Sequence, residues 1–418
     1  MDANDRALTA FAMVGHAAFH TYELVIPIFV VVWLDVYTTT AASLGAVVGA
    51  SYALTGLGAL PSGVLADRYG SKRLVVGCLA GMGASFAAVS VAPNLAVLTV
   101  ALLAWGASAS LYHPAGLSLL SRGAKARGTA FAYHGAAGNV GVAVGPLLAA
   151  TLLAFVHWRV VAAALVAPVA VALLLVVRLE FDETAGSEAR NAALASDGDG
   201  RGEIRDLGAF VAGTKALFAG GFAVVFAIGI LYGLYYRGVL TFLPDVLADV
   251  PRLGAVELAG REFESGQYVY SGLLLLGGLG QYVGGRVVDR VRAERALVGA
   301  YGLLAALALA FVPAATAGLV PLAVVAGLLG LAVFGVSPIN QEVVSAYTAA
   351  DVRGLSFGYT YAALFGVGAL GATLAGIVLT YATPTVLFAV LAAFAGAAAV
   401  LGTTLARRCP SSPDGGER

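Results

Sequence analysis

Gly63-Val64-Leu65-Ala66-Asp67-Arg68-Tyr69-Gly70-Ser71-Lys72-Arg73 is a short charged stretch between two apolar runs, and it returns in weaker form as Gly285-Arg286-Val287-Val288-Asp289-Arg290, 222 positions later. Other landmarks keep the same order and nearly the same offset. Arg127-Gly128 answers Arg353-Gly354 at 226, Pro27 answers Pro244 at 217, and Pro114 answers Pro338 at 224. Composition alone does not produce ordered landmarks at one spacing. The chain is therefore read as two parallel halves, the repeat expected of carriers that bind cargo between them.

The 418 residues are 60% hydrophobic and 11% charged, with a mean hydropathy of +0.88. Soluble chains carry roughly a quarter charged residues, so this composition predicts an all-α integral membrane protein. A spanning helix needs about 20 apolar residues. Runs of that kind fall at roughly 8–34, 42–66, 74–92, 95–119, 128–154, 158–178, 216–244, 266–286, 295–313, 317–340, 355–380 and 385–406, giving twelve transmembrane helices. The first run is too long and too polar for a signal peptide. Six helices (1–178), a linker rich in Ala, Gly, Asp, Glu and Ser (179–213) and six more helices (214–418) are expected to form two pseudo-symmetric six-helix bundles around a central cavity.

Placing the amino terminus inside assigns 20 of the 24 Lys and Arg residues to inner segments, and leaves Arg159, Arg252 and Arg261 outside and Arg237 within a span. Both termini are thus expected in the cytoplasm. Lys+Arg equals Asp+Glu, so nothing points to nucleic acid, and Cys78 and Cys409 are too far apart to suggest a disulfide framework or a thiolate metal site. Asp197, Asp199 and Glu203 sketch a calcium loop, but Arg201 stands at a ligand position and Gly208 where the closing Glu belongs. The acidic segment 245–264 reads as a solvated loop.

With these features in place, the Gly63 to Arg73 run resembles the inner-loop motif of the major facilitator superfamily, and the Gly285 to Arg290 run its second copy. Gly138-Asn139-Val140-Gly141-Val142-Ala143-Val144-Gly145-Pro146 resembles the helix 5 motif of the exporter branch. Leu111-Tyr112-His113-Pro114-Ala115-Gly116 and Tyr133-His134-Gly135 are similar to the fosmidomycin resistance type of drug:proton antiporter. The resemblance implies that helices 1, 4, 7 and 10 line the cavity. It also implies that Asp67, Arg68, Lys72, Arg73, Arg127, Asp289, Arg290 and Arg353 gate the inner side, with Asp67 facing the positive start of helix 11. In that subgroup an Asp follows the helix 1 His by four residues; here the acid stands at Glu23, three after His20.

Ionisable groups inside spans are costly and mark pathways. His16, His20 and Glu23 fall at i, i+4 and i+7 on one helical face and are the candidates for proton coupling. His113, His134, Tyr235, Tyr236, Arg237, Asn340, Gln341, Tyr359 and Tyr361 are the candidate cavity residues, with Arg237 expected to pair with Glu23 or an anionic cargo. His157 beside Trp158 reads as an interface anchor. Gly366-Val367-Gly368-Ala369-Leu370-Gly371 mimics a dinucleotide fingerprint, but no strand precedes it, and close helix packing is the reading preferred.

No phosphate-cradling loop or intramembrane enzyme motif appears, so no cofactor and no enzymatic activity are expected and an ion gradient is the energy source. The reading is a secondary transporter, monomeric, in a prokaryotic plasma membrane, that exports a small organic or drug-like compound, anionic ones included, in exchange for protons. Its partners are that compound, protons and the lipid bilayer. The alternative is a proton symporter importing a small organic anion. Transition-metal export stands third, because His16, His20 and Glu23 have ligand-compatible spacing without supporting Cys or Asp. A non-transporting receptor on the same fold would have little use for two gate motifs.

Overall fold

Long apolar stretches punctuated by Gly and Pro fold here as twelve consecutive membrane helices. The computed structural model describes residues 1–176, 178–188, 207–348 and 353–408, and the side chains of Asp67 and Arg353 lie outside the described set. The first half comprises α1 (Ala3–Val36), α2 (Ala41–Leu57 and Ala59–Tyr69), α3 (Ser71–Val91), α4 (Leu95–Ala109 and Tyr112–Gly123), α5 (Arg127–Leu153) and α6 (Trp158–Ala164 and Val166–Val176). The second comprises α7 (Phe222–Ala248), α8 (Ser265–Val288), α9 (Ala293–Ala317), α10 (Leu319–Ala346), α11 (Arg353–Tyr361 onward to Leu370–Tyr381) and α12 (Pro384–Arg408).

Ten of these are long and apolar enough to cross a membrane. The other two are α2, which Gly58 divides, and α8, which Gln267, Tyr268, Tyr270, Ser271 and Gln281 make more polar. The break in α4 has a local cause: Pro114 cannot donate to the Ser110 carbonyl and its ring crowds it. Sequence reading took 216–244 as one span. The chain instead forms a separate helix, Leu207–Ala219, and restarts after Gly220-Gly221, a pair that favours interruption. That helix begins inside the expected linker, so the linker ends earlier than residue 213; its middle, 189–206 with the acidic pseudo-loop, lies outside the described residues.

Packing repeats between the halves. α1 lies on α5 as α7 lies on α11, and α2 lies on α4 as α8 lies on α10. The halves meet through α1 and α7, α2 and α11, and α5 and α8. We call the face bearing the start of α1 and the end of α12 the near face. Toward the far face the halves are sealed: Ala42 N donates to Thr380 Oγ1 (2.8 Å), Thr373 Oγ1 donates to the Gly45 carbonyl (3.1 Å), and the Phe155 and Phe263 rings meet at 5.9 Å. Deeper in, Gly56 faces Gly366 so closely that a side chain on the former would overlap the α11 backbone. There α11 leaves the α-helix for one π turn (Ala362–Gly366) and one 3-10 turn (Val367–Ala369). The far-face segment 245–264 carries a two-stranded hairpin, β1 (Val256–Leu258) and β2 (Arg261–Phe263), turned at Ala259-Gly260 with positive φ at both.

On the near face, residues 179–188 fold back over the first bundle. Glu183 accepts from the backbone N–H of Ser71 (2.7 Å) and Lys72 (3.3 Å), capping α3, and Asp5 accepts from Lys125 N and Ala126 N (2.9 Å each) before α5. Asp2 and Asp182 titrate below the ordinary carboxylate range, Asp2 mainly through the Asp5 backbone N–H and Asp182 mainly through that of Thr184.

Candidate functional site

Helix α1 contributes one face at helical spacing, and the helices that cover it contribute the rest. His16, His20 and Glu23 point from α1 toward α4, α5 and α7. Small residues make the room: an added Cβ at Gly138 of α5 would lie 2.5 Å from His16 Cε1 and 2.6 Å from its Nδ1, so only glycine lets the His16 ring settle there. The His16 and His134 rings then stack at 3.8 Å.

Four polar contacts follow in a row. The His134 carbonyl meets His16 Nδ1 at 2.8 Å, His16 Nε2 meets His20 Nε2 at 3.1 Å, and His20 Nδ1 meets Glu23 Oε2 at 2.6 Å. The other Glu23 oxygen forms an ion pair with Arg237 of α7. Glu23 and Arg237 are buried to 1% exposure, whereas the His20 side chain keeps 17%. Tyr52 of α2 completes the cage: its hydroxyl donates to the Glu23 carbonyl at 2.8 Å, and its ring lies 3.8 Å under the guanidinium. Tyr236 and Phe365 flank the same cation at 5.3 and 5.5 Å.

The row can be counted in protons. A carbonyl only accepts, so His16 Nδ1 carries a hydrogen. Two imidazole nitrogens at 3.1 Å require one hydrogen between them, and His20 Nδ1 against a carboxylate oxygen at 2.6 Å requires another. Neutral His16 and neutral His20 bring two hydrogens and ionised Glu23 brings none. All three contacts are satisfied together only when the His16, His20 and Glu23 unit carries one hydrogen beyond that reference. Counted together with Arg237, the cluster then carries a net charge of about +1 when that proton is present and about zero when it is absent.

His113 of α4 lies beside this row without joining it. Its ring is edge-on to His16 (5.4 Å) and Phe19 (4.5 Å) and 5.6 Å from Tyr361, and its buried Nε2 has no hydrogen-bond partner. His16, His20 and His113 bring ligand-capable atoms within 4.8 Å, but the direct hydrogen bond between the first two already employs their Nε2 atoms on each other. His134 Nε2 is taken by the Tyr112 hydroxyl at 3.0 Å, so the tie between α4 and α5 runs side chain to side chain.

Other sequence candidates lie elsewhere. Tyr235 turns into the second bundle and donates to the Leu304 carbonyl (3.1 Å), and Asn340 is bound to Tyr301 (3.0 Å). Tyr359 bonds Thr214 (3.0 Å) among Phe218 and Phe226. Gln341 is exposed in a cleft of about 560 Å³ at the near-face end of α8 and α10, with Arg286 and Asp289. Among the near-face charges, Lys72 donates to the Leu179 carbonyl, Arg127 to Ser121 (3.1 Å), and Arg68 lies 5.3 Å over Tyr69; Arg73, Asp289 and Arg290 are exposed. Helix segments Ala59–Tyr69 and Arg353–Tyr361 touch, but the expected partnership of Asp67 with the start of α11 lies outside the described side chains. His157 is exposed and accepts from Arg159 N (3.3 Å), capping α6. Tyr52 and Phe365 are not among the residues the sequence singles out, and Tyr112 enters there only as part of the Leu111 to Gly116 motif. Of the first two, Tyr52 has a local signal, the polar Ser51-Tyr52 pair inside an apolar run.

Comparison with known proteins follows the fold. Solved structures of similar architecture include a bacterial homologue of the human lysosomal transporter Spinster in an inward-facing, occupied conformation, at 14% identity and a TM-score of 0.74, covering 97% of this chain and 98% of that one. The peptide transporter POT in complex with sulfate matches at 15% identity and 0.71, covering 96% and 94%. The nucleoside transporter NupG matches at 14% and 0.71, covering 96% and 99%. No curated protein matches the sequence. The model of the Major Facilitator Superfamily matches residues 11–370. The chain is a transporter rather than an enzyme, and it belongs to the Major Facilitator Superfamily.

Proposed function

We propose that this transporter is proton-coupled, exporting a small organic or drug-like compound in exchange for protons as the fosmidomycin resistance type does, with the near face in the cytoplasm of a prokaryotic cell. The observation that carries the reading is the hydrogen-bonded row of His16, His20 and Glu23, which has room for one additional proton and is lodged against Arg237. A cationic compound is disfavoured beside the cluster when the proton brings its charge, Arg237 included, to about +1, and is admitted once the proton leaves, so compound and proton alternate in one site. The chain acts as a monomer, its two bundles rocking about the interfaces of α2 with α11 and α5 with α8. Asp67 and Arg353 belong to the contacts that close the near face in the opposite state.

A second reading is favoured by the same charge. An anionic cargo is drawn to the protonated cluster and can displace Glu23 from Arg237, which makes anion and proton travel together as a symport. Proton movement in inside-out vesicles with an acid lumen separates the two. Compound-evoked lumen alkalinisation that vanishes in Glu23→Gln supports exchange. Proton movement in the same direction as an added carboxylate or phosphonate replaces it with symport, and no response to any compound, in wild type as in the variant, removes proton coupling altogether.

A further inference from the structure

At the near-face end of the second bundle, away from the histidine row, α9 begins and α12 ends side by side. Between them lies a cleft of about 420 Å³ lined by Arg292, Arg295, Val298, Thr403, Ala406 and Arg407. Three guanidinium groups thus converge on one opening. Only Arg292 has an acidic neighbour, Glu294, at 3.6 Å, and Glu294 is also engaged by the Tyr347 hydroxyl at 3.2 Å. Among the described residues Arg295 and Arg407 have no acidic partner, and both are exposed. Such a concentration of positive charge attracts an anion, and the planar guanidinium fork matches the oxygens of a phosphate or a carboxylate.

The surface below the cleft says which anion. On α9, Gly299 and Gly302 follow Arg295 at i+4 and i+7, and an added Cβ at either would meet nothing within 4 Å. On α12, Ala399 and Gly396 precede Thr403 at i−4 and i−7, and Gly396 is equally open. Leu303 (48% exposed) and Val400 (63% exposed) add apolar side chains on the same helices. This open apolar surface continues from the arginines along two membrane helices, where a soluble phosphate gains nothing and an acyl chain gains apolar contact. We infer that Arg292, Arg295 and Arg407 hold the headgroup phosphodiester of an anionic phospholipid, whose chain lies along α9 and α12. The site is independent of the proton coupling proposed above. It pins one end of the second bundle to the near-face leaflet while the first bundle moves.

Native mass spectrometry of the full-length protein in neutral detergent tests this, with phosphatidylglycerol and phosphatidylcholine as probes and inorganic phosphate as soluble competitor. Wild type is expected to retain one phosphatidylglycerol with a preference of at least about tenfold over phosphatidylcholine, and Arg295→Gln/Arg407→Gln to lose that preference with an unchanged lipid-free melting temperature. Equal retention by wild type and the double variant, or the absence of a preference, overturns the site. Displacement of the lipid by millimolar phosphate overturns the lipid as its occupant. Should the double variant not fold, salt titration of wild type decides: steep loss of phosphatidylglycerol alone supports the site, and salt-independent retention overturns it.

Discussion

Glu23 and Arg237 are each buried to 1% and paired with each other, so removing Glu23 alone strands the Arg237 charge and removing Arg237 alone leaves Glu23 with only His20 as its partner. Breaking a buried pair on one side costs about 3 kcal/mol or more, whereas replacing both partners by apolar groups is often close to neutral. Glu23→Gln and Arg237→Met should therefore each lower the melting temperature more than Glu23→Gln/Arg237→Met does, a sign of coupling that a thermal double-mutant cycle measures directly. Gly138 offers a second residue-scale test. Gly138→Ala drives a methyl group into the His16 ring and should cost about 1–3 kcal/mol with loss of transport. Gly135→Ala, where nothing lies within 4 Å, should be silent. Equal effects of the two would show that the seating of His16 is unimportant.

At the scale of elements, the π turn of α11 and the break of α2 at Gly58 occur at the same depth, where Gly56 and Gly366 meet. Gly56→Val should push the two helices apart there, opening the far-face seal while leaving each bundle folded. Accessibility of a single introduced cysteine at Thr373 to a membrane-impermeant thiol reagent checks it, and unchanged labelling would refute the seal. The near-face strap responds to acid. Asp2 and Asp182 titrate below their ordinary range, so their contribution is present above about pH 4 and is lost as pH falls through the lowered values. Because both are exposed, the effect is local: amide exchange at the start of α1 and at residues 184–188 should quicken on acidification while the membrane helices stay protected.

Across the whole molecule, the halves are joined at far-face and central positions through contacts that a rocking motion must break. Asn139 Nδ2 donates to Gln281 Oε1 at 3.1 Å between α5 and α8. Cross-linking Asn139→Cys to Gln281→Cys with a short bifunctional reagent, in a background with Cys409 replaced, should stop transport, and Cys78 is buried and should not interfere. Transport that continues after complete cross-linking would mean that α5 and α8 do not separate in the cycle.

Hydropathy made the twelve spans legible, and the ordered landmarks made the two halves legible, because membrane solvent demands long apolar helices and the parallel halves reuse one set of turns. The i, i+4, i+7 face of His16, His20 and Glu23 was equally local, since helical period alone brings those side chains together. Other features were not local. Tyr52 reaches Arg237 only because α2 crosses α1 and α7 at that depth, and Tyr235 turns to α9 although it adjoins Tyr236 and Arg237 in sequence. The break in α2 falls at Gly58, which packs against the Ser110 side chain and is indistinguishable in sequence from many glycines that lie in unbroken helix. The amino-acid sequence by itself determined the membrane environment, the repeat and the candidate face of α1. Tertiary structure decided the partners of that face and the arginine cleft at α9 and α12, because each depends on side chains that only helix packing brings within hydrogen-bond or ionic reach.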